Sequence, residues 1–284
     1  MTDRAFFRHI VQVLCGLCLC LAYTTALAAA NLSLEQRDIA FYYGSRPPLD
    51  ELRHFDQVVI QPSQVLPQER ELLLKLDSLV FAYVSIGEVA RNSEDIRQIN
   101  QKWSIGTNPL WNSLVMDMAS PAWRDYLLER HFAALWKNGY RAFFLDTVDS
   151  YLISSQEGKG RAAQEAGLVA LLKEVKDRFP GVQLILNRGF EVLDRLAPYA
   201  DGMVAESLFS GFDPLTGKHA PTKEENRAWL VNQLKRAQHE FNIPVTVIDY
   251  VEPGHWQEAK ETAQQIFALG FMPWVANGDL TWLG

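Results

Sequence analysis

The chain has 284 residues, of which 48% are hydrophobic and 21% charged, with 34 Asp and Glu set against 27 Lys and Arg. This balance describes a globular, acidic protein; without a basic surface to meet phosphates, nucleic acid is not an expected partner. Cys15, Cys18 and Cys20 are its only cysteines, so the rest of the chain has neither a disulfide framework nor a cysteine zinc site.

Residues 1–30 begin with Arg4 and Arg8, continue through an apolar run from Ile10 to Ala22 broken by Gln12, and end in Ala26, Leu27, Ala28, Ala29 and Ala30. This is the layout of a signal peptide cleaved near Ala28 to Ala30, and it predicts an exported protein, periplasmic or extracellular, with no stable membrane insertion after cleavage. An uncleaved anchor helix is the competing reading, and the shortness of the apolar run weighs against it. Each cysteine follows a leucine rather than a small residue, which speaks against lipidation. Residues 31–284 form the expected folded domain, with 25 basic and 33 acidic residues and a net charge of −8. Such a surface suits a cationic partner, or simply keeps an exported protein soluble.

Nine short apolar runs read as strands: Asp38 to Tyr43, Gln57 to Ile60, Leu79 to Ser85, Leu114 to Asp117, Ala142 to Asp146, Gln183 to Asn187, Gly202 to Glu206, Val245 to Tyr250 and Phe271 to Val275. Most are continuously apolar, as strands covered on both faces are. Helical periodicity predicts helices over Pro121 to Asn138, with Ser120 as N-cap and Gly139 as stop, and over Arg161 to Arg178, Thr222 to Glu240 and Trp256 to Leu269. Strand and helix in alternation imply a parallel sheet, and a domain of this length fits an α/β fold of the (β/α)8 TIM barrel type. An eight-stranded barrel has one strand too few for nine runs. The run at Leu114 is the weakest, because the stretch from Ile86 to Asn112 before it is long and polar. A doubly wound open sheet is the rival, but Tyr43 to Pro48 is no glycine-rich phosphate loop.

In such barrels the chemistry sits at the C-terminal ends of the strands. Asp146, Glu206 and Asp249 each close an apolar run, while Glu88, Asp149 and Glu252 follow shortly after one. A charge delivered there is expensive unless it is paired or used. Asp146 has a bland alternative as a helix cap; Glu206 is a poorer capping residue, so its position points more strongly to function. Two carboxyls facing one hollow are what glycoside hydrolysis requires, one as nucleophile or base and the other as acid. Tyr42, Tyr43, Tyr83, Trp103, Trp111, Tyr151, Phe209, Tyr250 and Trp274 lie at or beyond strand ends, where rings stack on sugars or ammonium groups; taken singly, each is as readily explained by packing. The six histidines are scattered, and serine-elbow, H-E-x-x-H and P-loop motifs are absent, so no metal and no cofactor is expected.

Four segments carry a resemblance: Ser85, Ile86, Gly87, Glu88; Phe144 to Tyr151; Asn187, Arg188, Gly189; and Ala205, Glu206, Ser207. Here the chain resembles glycoside hydrolase families 114 and 166, over essentially the whole of residues 31–284. The resemblance implies an endo-acting α-1,4-galactosaminidase whose partner is a galactosamine-rich polysaccharide. It implies Asp146 as nucleophile and Glu206 as general acid/base. Tyr43, Tyr83, Glu88, Asp149, Tyr151, Asn187, Arg188, Asp249, Glu252 and Trp274, from their places at strand ends or in the segments above, are the substrate-binding candidates. Two other readings use the same cleft: a barrel that binds polysaccharide without cutting it, and a hydrolase of a different α-glycan.

Overall fold

The structure is a computed structural model that describes residues 37–154 and 159–283; the signal segment read in residues 1–30 lies outside the described residues. Eight parallel strands form one sheet: β1 (Ile39–Tyr42), β2 (Gln57–Ile60), β3 (Leu79–Ser85), β7 (Ala142–Asp146), β8 (Gln183–Asn187), β9 (Gly202–Glu206), β12 (Val245–Tyr250) and β13 (Met272–Ala276), side by side in that order. The sheet curls into the barrel of a (β/α)8 fold, with β13 brought back beside β1. Phe41, Phe143 and Phe144 are buried in its core. Truncating any one of them to alanine is worth about 3–5 kcal/mol of stability.

The ninth run belongs elsewhere. Leu114 to Asp117 falls on β6 (Ser113–Met116), the middle strand of a separate antiparallel sheet between β4 (Glu88–Ala90) and β5 (Ser104–Asn108). All four residues of β6 are buried, as in a barrel strand, but it pairs antiparallel with β4 and β5 and with no strand of the barrel. A second excursion, the hairpin β10 (Ser210–Asp213) and β11 (Lys218–Pro221), had no apolar signal, since its residues are mostly polar and none is buried.

The helices follow the expected phasing with small shifts at their ends: Lys159–Arg178, Glu224–Phe241 and Trp256–Ala268. The predicted helix from Pro121 is interrupted. It is α-helical over Pro121–Tyr126, widens to a π-helical turn at Leu127–Phe132 and resumes over Ala133–Lys137. The wide turn still buries Leu127, Leu128 and Phe132, so the apolar face that the periodicity detected is preserved. Among the described residues no helix is long and apolar enough to cross a membrane.

Candidate active site

β7, β8 and β9 are neighbours in the sheet, and each ends in a polar residue: Asp146, Asn187 and Glu206. The next residue on each strand, Thr147, Arg188 and Ser207, is left-handed, with φ of 60°, 63° and 65°. Such a backbone costs a non-glycine residue about 1–3 kcal/mol and persists where the surroundings impose it. Here the surroundings are hydrogen bonds. The Thr147 hydroxyl accepts the Gly87 amide at 2.9 Å, the Arg188 amide donates to Val204 O at 2.9 Å, and the Ser207 amide donates to Ile248 O at 2.8 Å. Gly87 is needed for this, because a Cβ there would lie 2.1 Å from the Thr147 carbonyl oxygen. The turns bend the chain away immediately after the functional side chain and leave it facing the barrel mouth.

Asn187 joins the two acids. Its Nδ2 donates to Asp146 Oδ1 at 2.8 Å and to Glu206 Oε1 at 2.7 Å, so these two oxygens are separated by no more than the sum, 5.5 Å. Each carboxylate also receives a phenol: Tyr83 donates to Asp146 Oδ2 at 2.6 Å, and Tyr250 donates to Glu206 Oε2. Burial, reinforced by the nearby carboxylates, holds both phenols well above the usual tyrosine range, so they stay protonated donors. Burial also raises Glu206, helped by the charge of Asp146 and opposed by the Tyr250 and Asn187 hydrogen bonds. One carboxyl of the pair is therefore held toward its protonated form, as a general acid requires.

Asp146, Asn187, Glu206 and Tyr250 line a cavity of about 470 Å³ together with Glu88, Asp149 and Arg188. Asp149 is pushed up to about 6, mainly by burial and against the pull of Arg188. Tyr43 stands behind the cavity with its ring against Tyr83 at a centroid distance of 5.3 Å. Other expected binding residues lie apart from it. Asp249 is fully buried and turned away; its carboxylate accepts the backbone amides of Leu208, Phe209 and Ser210, so it braces the loop after β9 and is not free to meet a ligand. Burial outweighs those three donors and raises Asp249 to about 7. Trp274 points into the barrel below the rim, its ring 6.3 Å from Phe41 and 5.7 Å from Phe55. Tyr151 is 1% exposed and belongs to the core. Glu252 is exposed, 3.8 Å from His219. Glu88 reaches the cavity wall, but both its oxygens are occupied by Asn108, Ser113 and Ser150.

Nothing in the sequence singles out Asn108 or Phe212, which also line the cavity, whereas Tyr250 and Trp111 stand there only among aromatics near strand ends and Ser207 only within a segment of the family resemblance. Tyr250 is the last residue of a strand on which Ile248 pairs with Glu206, and this register, which the sequence does not show, places its ring beside that carboxylate. Among the described residues no group of three or more His, Cys, Asp or Glu side chains could hold a metal ion.

Residues 24–283 match the model of glycoside-hydrolase family GH114. The chain belongs to this family. The GH114 barrel is similar to the glycoside hydrolase domain of PelA from Pseudomonas aeruginosa, at 35% identity, 87% coverage of this chain, 97% of that chain and a TM-score of 0.79. Two more distant structures share the fold. Ega3 from Aspergillus fumigatus, seen in complex with galactosamine, is 13% identical over 88% of this chain and 96% of its own, with a TM-score of 0.64. The GH36 α-galactosidase AgaA from Geobacillus stearothermophilus is 14% identical over 88% of this chain and 40% of its own, with a TM-score of 0.53. No curated protein matches the chain. As a GH114 member it is a glycoside hydrolase.

Proposed function

We propose that this hydrolase is exported and endo-acting, and that it cuts α-1,4 linkages in galactosamine- and N-acetylgalactosamine-rich exopolysaccharide with Asp146 as nucleophile and Glu206 as general acid/base. The observation that carries the reading is the single Asn187 amide holding one oxygen of each carboxyl within 5.5 Å of the other. Carboxyls about 5–5.5 Å apart leave no room for a water between base and sugar and belong to retaining hydrolysis, whereas inversion uses roughly 6.5–9.5 Å. The sugar class is supported by the galactosamine held in the related Ega3 barrel and by the acidic surface of this chain, which suits a polymer bearing ammonium groups. Export is supported by the signal-peptide layout of residues 1–30.

The chemistry follows from the two environments. Asp146, oriented by Tyr83 and Asn187, attacks the anomeric carbon while Glu206 gives its proton to the departing glycosidic oxygen, so the C–O bond to the leaving chain breaks as the ester to Asp146 forms. Esterification removes the negative charge of Asp146. That charge is one of the two causes raising Glu206, so the proton affinity of Glu206 falls at the stage when it must act as a base. Glu206 then takes a proton from water, the water oxygen attacks the anomeric carbon from the side the leaving group vacated, and Asp146 is released as a carboxylate.

Mass spectrometry of products from a panel of amino-sugar and neutral α-glycans tests this. Shortened galactosamine-rich oligomers are expected; cleavage of a neutral α-glycan alone would transfer the same site to another substrate, and binding without shortening would end the catalytic reading.

A further inference from the structure

The insertion after β3 supplies a cavity wall of a different character from the acidic floor. Its tip carries Leu110 and Trp111 into the cavity lining, and Trp111 is 56% exposed, with no aromatic partner among the described residues. Leu110 and Ile153 are exposed beside it in the same lining, so the indole belongs to a grouped apolar surface at the cleft rather than standing alone. The tip is also fixed in place. Glu88, 6% exposed, accepts from Asn108 Nδ2 at 3.0 Å, from the Ser113 hydroxyl, and from the Ser150 hydroxyl at 2.5 Å. Asn108 and Ser113 flank the tip, and Ser150 lies four residues beyond Asp146, so one buried carboxylate ties the Trp111 turn to the strand end that carries the proposed nucleophile. Within the turn Asn108 Oδ1 accepts the Leu110 amide at 3.1 Å, and the Arg91 amide donates to Asn112 O at 3.0 Å. Gly106 packs so tightly on the loop after β7 that a Cβ there would meet Ser154 Oγ at 2.0 Å.

We infer that Trp111 is a sugar-binding platform for a hexosamine unit of the polymer beyond the one being cut, mounted at a fixed place relative to Asp146. The inference rests on the proposed glycan-cleaving function and adds where a second sugar sits. A flat indole face suits the C–H face of a pyranose, and its quadrupole attracts an ammonium substituent. Rigid mounting keeps the ordering cost of binding low. An endo-acting enzyme gains from such a contact only on chains long enough to reach it.

The test is kcat/KM for a ladder of α-1,4-linked galactosamine oligomers, with wild type, Trp111→Ala and Trp111→Phe. The expected result is a ratio of long-chain to shortest-chain kcat/KM that falls roughly tenfold in Trp111→Ala, through KM, with Trp111→Phe in between. A ratio equal to that of wild type in both variants, or a fall through kcat alone, would overturn the platform. Wild-type cleavage of a different α-glycan and not of galactosaminan defeats the substrate assignment alone, and the same ladder made from that glycan then decides the platform.

Discussion

Two regions of the barrel rim treat a strand-end carboxylate in opposite ways. On β7 and β9 the acid is the last residue of the strand, and Asp146 and Glu206 face the cavity. On β12 the acid is the last but one; Tyr250 takes the cavity-facing place and Asp249 turns outward. Side chains alternate along a strand, so a difference of one residue reverses the face. The neighbours on β12 show the phase: Val245 and Val247 pack in the outer layer with Leu230 and Leu234, whereas Ile248 and Tyr250 join the core that includes the barrel interior. A charge after an apolar run is therefore interpreted by its phase and not by its nearness to the end.

The comparison is broken most severely by variants on its two sides. Asp146→Ala and Glu206→Ala are each expected to lower kcat by about a thousandfold or more on galactosaminan, with the native circular dichroism spectrum retained. Wild-type kcat in either variant would remove that residue from the chemistry. Asp249→Ala should behave the other way round. It strands three buried backbone donors, and urea unfolding should show a loss on the order of 3 kcal/mol. An unchanged midpoint with abolished kcat would place Asp249 in the catalytic set after all.

A smaller effect sharpens the cavity side. Tyr250→Phe removes a hydrogen bond that lowers Glu206, so the proton affinity of Glu206 rises and the alkaline limb of the kcat/KM profile should move to higher pH, with kcat falling roughly tenfold. A limb that stays put or moves down would separate Tyr250 from the titration. The smallest effect concerns Asp149. Raised to about 6, it gains its charge as pH climbs through that value, so KM for a deacetylated polymer should fall between about pH 5 and pH 7 at low salt. Asp149→Asn should flatten that change; an identical slope in the variant would assign the attraction to other groups.

Much of this architecture is legible in the sequence, because buried parallel strands announce themselves as unbroken apolar runs and most of the barrel strands are of that kind. The meeting of Asp146, Asn187 and Glu206 follows from three neighbouring strands whose last residues share one face, although Asn187 pairs with Val204 and Glu206 stands two residues further along β9. What escapes the sequence is phase and satisfaction. Nothing in Val245 to Tyr250 says which of Asp249 and Tyr250 faces in, and nothing around Glu88 says that its oxygens are already taken. Trp274 does face the interior, but two residues below the strand end, where it meets Phe41 and Phe55 instead of a ligand. The hairpin β10–β11 gives no apolar run because it meets the rim through one large apolar side chain, Phe212, whose ring lies 6.3 Å from that of Tyr250, and is otherwise held together by its own backbone pairing.

The carboxyl pair that Asn187 holds together is tested most directly by the stereochemistry of the first product. Proton NMR during the first minutes of galactosaminan cleavage, before mutarotation, should show the new reducing end as the α-anomer, as a double displacement through Asp146 requires. Initial appearance of the β-anomer would contradict the account, since inversion needs a water between the sugar and a base that these two side chains stand too close together to admit.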